Sequence, residues 1–422
     1  MKVPFCPAEV LLPKKDFEKW SVIACDQYTS DEAYWNDVDK IVGDEPSTLR
    51  ITLPEIYLGK PDTDARIEKI NETMKKYLDG DVFDVYPDTF VYIERTLPSD
   101  MIRRGIVGAV DLEAYDFSQN SGSLIRATEK TVAERIPPRV KIRKNAFLEL
   151  PHVMILIDDP SDSVMSHLTR SKNAMKKLYD FDLMKNGGHL CGWRADGAFA
   201  DGITERLEGL LKKCGQQSDG KPPILFAVGD GNHSLATAKT CWEEIKKGLT
   251  EEERQNHPAR FALAEIVNVH EEALEFEPIH RVLFNTDPEK FHDELLKYFG
   301  DSLTEDNCDV DDFNDFILIS EGYEHVCELK KKKSNLTVGD IQEFLDEYMD
   351  HIDPSAKIDY IHGDGVAVEL GKKSGNIALL MPVMQKSELF RTVMLDGVLP
   401  RKTFSMGEAD SKRFYLEAKR IK

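Results

Sequence analysis

The chain has 422 residues, 41% hydrophobic and 31% charged, which is enough apolar material for more than one core. That composition excludes a wholly disordered chain, a collagen-like repeat and a small disulfide scaffold. Its 55 Lys and Arg face 76 Asp and Glu, a net charge of −21. This balance excludes nucleic acids and anionic membranes as default partners but leaves room for a local basic pocket holding a small phosphate.

In chain order, Met1 to Pro7 carries no apolar leader run, and no later window approaches the ~18 apolar residues of a membrane span. Trp20 to Cys25 reads as a strand ending in the polar cluster Asp26-Gln27-Tyr28-Thr29-Ser30. Ser30-Asp31-Glu32 then opens a helix carrying Tyr34, Trp35 and Val38. Ala65 to Leu78 has helical spacing, with Ile67, Ile70, Met74 and Leu78 on one side. Thr89 to Ile93, Arg104 to Val110 and Val153 to Ile157 are strand candidates. Lys212 to Pro223 reads as a surface loop leading into the strand Ile224 to Val228. Beyond Asp287, helices are expected at Phe291 to Phe299 and Ile341 to Met349, and a buried strand at Ile377 to Met381. Strands alternating with helices give an α/β to α+β fold, with mixed sheets flanked by helices. The expected division is 1–300 for the larger domain and 301–422 for a smaller α+β lobe. Seven scattered cysteines, odd in number and without C-x-x-C spacing, suit reduced thiols and a cytoplasmic protein.

The strongest chemical signal is Val228-Gly229-Asp230-Gly231-Asn232-His233-Ser234. An apolar strand runs into Gly-Asp-Gly, and Leu235, Ala238, Trp242 and Ile245 then follow at helical spacing. Gly229 and Gly231 permit close backbone approach, and the N–H groups of a helix start favour an anion. The same pattern suits a plain strand-to-helix joint capped by Asn232 or Ser234. Chemistry packed into consecutive positions favours a site: Asp230 for a metal or a proton, His233 for a hydrogen bond or proton shuttle, Ser234 for a hydroxyl.

A second constellation is Thr128-Glu129-Lys130-Thr131 followed by Arg135, Arg139, Lys141, Arg143 and Lys144. Here Glu129 is a candidate base, and the arginines are candidate phosphate ligands or simply an exposed charged face. The third is Pro278-Ile279-His280-Arg281, where a structural histidine is the plainer reading. The usual nucleotide and zinc-protease signatures, G-x-x-x-x-G-K-[ST], G-x-G-x-x-G and H-E-x-x-H, are absent.

Taken in this order, the three segments resemble the domain-of-unknown-function family numbered 1015. Its pattern H-E-x-T is matched by Thr128 to Thr131, A-D-G-H-H-R-x-x-T-A by Gly229 to Ala238, and P-x-H-R by Pro278 to Arg281. The terminal P-x-K-S-T-x-F pattern survives in part at Pro400, Lys402, Thr403 and Phe404. Asp26 and Tyr28 fall in the family's early loop. Departures are Thr128, Asn232 and Ser234, which stand for two histidines and an arginine; Arg135, Arg139 or Arg281 would have to replace that arginine's charge.

The Asp-Gly-x-His corner is also similar to that of the ParB and sulfiredoxin-like fold, which includes free-serine kinases. This implies phosphoryl transfer to a small hydroxylated metabolite such as serine, with ATP or ADP as co-substrate and Mg²⁺ held by Asp230. In that reading Gly229, Gly231, Asn232, Ser234, Arg135, Arg139, His280 and Arg281 bind phosphate or nucleotide, and Glu129, Asp230 and His233 act in catalysis. The alternatives are a phosphatase acting on a phosphorylated metabolite and a non-catalytic nucleotide- or metabolite-binding regulator.

Overall fold

The computed structural model describes residues 2–119, 121–218, 220–306, 315–407 and 409–422. Met1, Asp219 within the Lys212 to Pro223 stretch, and Cys308, one of the seven cysteines, lie outside the described residues. The chain folds into two compact units, Met1–Leu274 with Glu408–Lys422, and Glu275–Gly407.

The first unit is built on one mixed sheet. Its main strands are β1 (Phe83–Thr96), β2 (Ile102–Asp111), β3 (Ile125–Ala127), β4 (Val153–Ile157), β5 (Lys176–Asp182), β6 (His189–Ala195), β7 (Phe226–Asp230) and β8 (Phe261–Asn268). They run in the order β5-β6-β1-β2-β8-β4-β7-β3. The β8–β4 and β7–β3 pairs are parallel; the other neighbours on this path are antiparallel. Alternate residues of β1 serve opposite faces, as strand geometry requires. Val91 and Ile93 enter one apolar core, Phe90 and Tyr92 the other, and all four are buried. The sheet is therefore covered on both sides, which explains why the sequence shows continuous apolar runs here and little alternation.

On the first face lie α1 (Thr63–Asp79), with Ile67, Ile70, Met74 and Tyr77 turned inward, and the helix Glu32–Val42, capped by the Asp31 carboxylate on the Tyr34 N–H. A short helix, α2 (Ile136–Arg143), buries none of its side chains fully. The second face is covered by α3 (Ala198–Gln217) and α4 (Asn232–Ile245). Three local expectations change, the first being the strand expected from Trp20 to Cys25: Trp20 closes the short helix Phe17–Trp20, and only Val22–Ile23 is strand. Lys212 to Gln217 continue α3 and are not loop, because Leu207, Leu210 and Leu211 keep that helix anchored on the sheet. Ile245, at the end of α4, is exposed, while Leu235, Ala238 and Trp242 are buried as their spacing predicts. The C-terminal segment returns to this unit, placing Phe414, Leu416, Ala418 and Ile421 in the first core and pairing Phe414 and Tyr415 with Ile23 and Val22.

The second unit is an antiparallel sheet ordered Leu303–Asp306, Tyr323–Leu329, Asp315–Ser320, Asn376–Leu380, Phe276–Phe284, Lys357–His362. The helices Pro288–Phe299 and Thr337–Glu347 contribute Phe291 and Phe344, whose rings meet edge to face at 5.4 Å. The expected mixed sheets flanked by helices are thus present. Among the described residues no helix is long and apolar enough to cross a membrane, and the cysteines form no disulfide.

Candidate functional site

The corner between β7 and α4 is held by a break in the sheet ladder. The register of β7 against β4 shifts between Val228 and Asp230, leaving Gly229 in a bulge. Gly231 follows with φ +80°, and a Cβ there would lie 3.0 Å from Val153 Cα and 3.2 Å from the His152 carbonyl oxygen. Only glycine fits this turn. It also caps α4 without a side chain, so the opening N–H groups, beyond reach of the helix's own carbonyls, face the corner with the positive end of the helix dipole.

The loop after β3 is laced to this turn. Thr128 donates its hydroxyl to the Val228 carbonyl (2.6 Å) and its N–H to Asn232 Oδ1 (3.3 Å), and Asn232 Nδ2 donates to the same carbonyl (3.3 Å). The buried Asn232 side chain is therefore a clasp, so only its backbone N–H is left for a ligand. Four residues on, the Val132 N–H donates to His233 Nε2 at 3.2 Å. Burial, with Arg135 and Arg139 nearby, lowers the His233 pKa to about 4. This histidine is neutral near pH 7 and has only Nδ1–H left to donate. Glu129, half-buried, lies between the two tied positions. The first two segments singled out in the sequence thus meet.

Asp230 accepts from the Gly231 N–H (2.8 Å) and faces Lys412 Nζ at 3.4 Å. His152, whose ring lies against Gly231, completes a chain of polar groups. Its Nε2 is 3.5 Å from Asp26 Oδ2 and its Nδ1 2.5 Å from the Tyr415 hydroxyl. That hydroxyl accepts from the Cys25 N–H (3.0 Å) and donates to Cys25 Sγ (3.2 Å). Burial works against a charge on either partner. Nevertheless Tyr415, Asp26 and Cys25 lift the His152 pKa well above the ordinary histidine value, while His152, Gln27 and Lys412 hold Asp26 below the usual carboxylate range. An imidazolium with both N–H groups donating satisfies every one of these contacts.

Two buried arginines stand behind the corner. Arg103 donates to the Ser411 carbonyl (2.8 Å), feels the charge of Asp230, and has an unpartnered Nε. Arg413 bridges Glu265 and Glu417, the latter at 2.8 Å. Lys412, Arg413 and Tyr415 come from one short C-terminal stretch, and His152 from the residue before β4. None has a local motif; the one sequence signal was the polar cluster starting at Asp26.

The basic run is organised differently from its appearance in the sequence. Arg139 pairs with Glu55, Lys141 with Asp64 at 2.5 Å, and Arg143 with Glu149 at 2.6 Å, while Arg135 is exposed. Its cations are largely neutralised by acids from other elements. Ser234, with Arg139, His152, Cys25 and Tyr415, lines a cavity of about 160 Å³. His280 and Arg281 belong to the second unit. His280 accepts from the Met381 N–H (3.1 Å) and pairs with Asp364 (2.8 Å); Arg281 donates to the Ile279 and Arg401 carbonyls and lies over the Tyr360 ring. Both are buried with their polar groups engaged inside that unit.

Among the described residues, no trio of metal-ligating side chains gathers at the corner. One carboxylate, Asp230, fits a Mg²⁺ ion carried in on the phosphates of a nucleotide, which needs only one or two protein ligands, better than a resident ion in an all-protein cage.

The family model described as "Protein of unknown function (DUF1015)" matches residues 5–348. No curated protein sequence matches. Similar solved structures include a free serine kinase in complex with AMP, at 10% identity and TM-score 0.38, covering 71% of this chain and 89% of that one. A conserved hypothetical protein from Pyrococcus furiosus matches at 12% identity and TM-score 0.35 over 71% and 92%. SbnI with a C-terminal truncation, from Staphylococcus aureus, matches at 10% and 0.37 over 71% and 82%. Likenesses this loose carry no argument about activity.

Proposed function

The chain belongs to this family of unknown function, and from that premise we propose that it is a small-molecule phosphotransferase acting at the Gly229–Gly231 corner. The observation that supports this is the meeting, at one glycine turn, of a helix N-terminus with cations, Lys412 and His152, that are each paired to an acid, in a chain of net charge −21. Lys412, the His152 imidazolium, Arg103 and the start of α4 all gather about one glycine turn. In this reading the N–H groups from Asn232 to Ser234 take the oxygens of the transferring phosphoryl group, and Lys412 and His152 balance the charge that spreads over them. Asp230 would exchange Lys412 for a nucleotide-borne Mg²⁺. Glu129, on the loop tied to the same turn, would accept the proton of the acceptor hydroxyl, with serine the first acceptor to try. His152 replaces His233 as the proton-bearing imidazole, since His233 is neutral and tied by Val132.

The test is nucleotide turnover with Mg²⁺, using ADP and ATP as donors and serine and related hydroxy-amino acids as acceptors. Activity should fall ~10²–10³-fold in Asp230→Asn and in Lys412→Met. Phosphoserine hydrolysis without nucleotide would replace this reading with a phosphatase. Tight nucleotide binding by calorimetry without turnover of any acceptor would replace it with a binding switch.

A further inference from the structure

A second constellation lies away from the corner, on the hairpin formed by β5 and β6. In that antiparallel ladder Asp180 stands opposite Cys191 and Asp182 opposite His189. Residues two apart share a face, so the four side chains project together from neighbouring positions on two rigid strands. His189 Nε2 lies 2.8 Å from Asp180 Oδ1, and the ligand atoms of Asp180, His189 and Cys191 all fall within 4.8 Å of one another. We propose that Asp180, His189 and Cys191 form a binding site for a divalent transition metal, Zn²⁺ first, with water in the fourth position.

The outer contacts are those that a zinc site uses. Asp182 Oδ1 is 2.6 Å from His189 Nδ1, which fixes the ring with Nε2 turned to the site. Lys177 donates to the other oxygen of Asp180 (2.5 Å), leaving Oδ1 for the metal. Glu94, opposite Cys191 on β1, is held by Lys172 (2.7 Å) and the Tyr92 hydroxyl (2.8 Å), so water fills the remaining position. A mixed N, S and O donor set suits tetrahedral Zn²⁺ and disfavours Mg²⁺ or Ca²⁺, which take oxygen ligands.

The readout is Co²⁺ titration of the full chain. One equivalent should give a thiolate-to-cobalt charge-transfer band that Zn²⁺ abolishes by competition. The band should vanish in Cys191→Ser and His189→Gln and persist in Cys25→Ser. Asp182→Asn alters a side chain 86% exposed, so it should leave the fold intact and weaken Zn²⁺ ~10–100-fold. No band in the unaltered protein, a band surviving Cys191→Ser, or unchanged Zn²⁺ affinity in Asp182→Asn would overturn the site. None of these readouts depends on the phosphotransferase reading.

Discussion

Two buried arginines, Arg413 in the first unit and Arg281 in the second, are solvated in opposite ways. Arg413, at the corner, lies between the carboxylates of Glu265 and Glu417, both almost wholly buried. Arg281, in the second unit, is held by the carbonyls of Ile279 and Arg401 and by Gln342, and its pKa is lowered to about 10, chiefly by burial. The first is one charge in a field of alternating sign around a glycine turn. The second is a hydrogen-bond donor filling a space between strands. The same residue type serves electrostatics in one place and packing in the other, and counter-charges brought from distant sequence decide which.

Substitution by methionine breaks the two apart. Arg413→Met removes the guanidinium that bridges two buried carboxylates and should cost about 3–5 kcal/mol in urea unfolding. Arg281→Met leaves only carbonyl and amide acceptors unfilled and should cost about 1–3 kcal/mol. Equal losses would show that the carboxylates at the corner are not charged in the folded state. Gly231→Ala sharpens the local half of the comparison. It forces a side chain into a left-handed turn against the Val153 backbone and should cost about 1–3 kcal/mol while abolishing nucleotide binding by calorimetry.

The smallest effect concerns His233. Its folded pKa of about 4 lies below the ordinary value of 6.5. As pH falls between those values the unfolded chain takes up a proton that the folded chain refuses, so stability falls across that window. His233→Gln keeps an acceptor for the Val132 N–H and should flatten the decline; an unchanged pH profile of the urea midpoint would place His233 in water.

The corner was legible because everything that makes it is contiguous: an apolar strand, Gly229 and Gly231 around Asp230, and a helix with Leu235, Ala238 and Trp242 on its inner face. The groups that charge it were not. Lys412 is 182 residues from Asp230 and Tyr415 is 263 from His152, and no periodicity links such positions. Arg139 to Lys144 shows the converse. A dense run of cations draws attention in the sequence, yet Glu55, Asp64 and Glu149 consume much of its charge. His280 and Arg281 were singled out by a motif, and the plainer reading, a histidine with its hydrogen bonds made inside its own domain, describes what surrounds it.

The return of Glu408–Lys422 to the first unit has a consequence for biosynthesis. A chain emerging from the ribosome displays the glycine turn once residue 274 is out, and the whole of the second unit must follow before the lysine, arginine and tyrosine of the closing stretch arrive. At ~5–20 residues per second the nascent polypeptide spends seconds with Glu265 lacking Arg413 and Asp230 lacking Lys412. A half-made copy therefore lacks the Lys412 and Arg413 ion pairs, and a prematurely terminated one leaves Asp230 without Lys412 and Glu265 without Arg413.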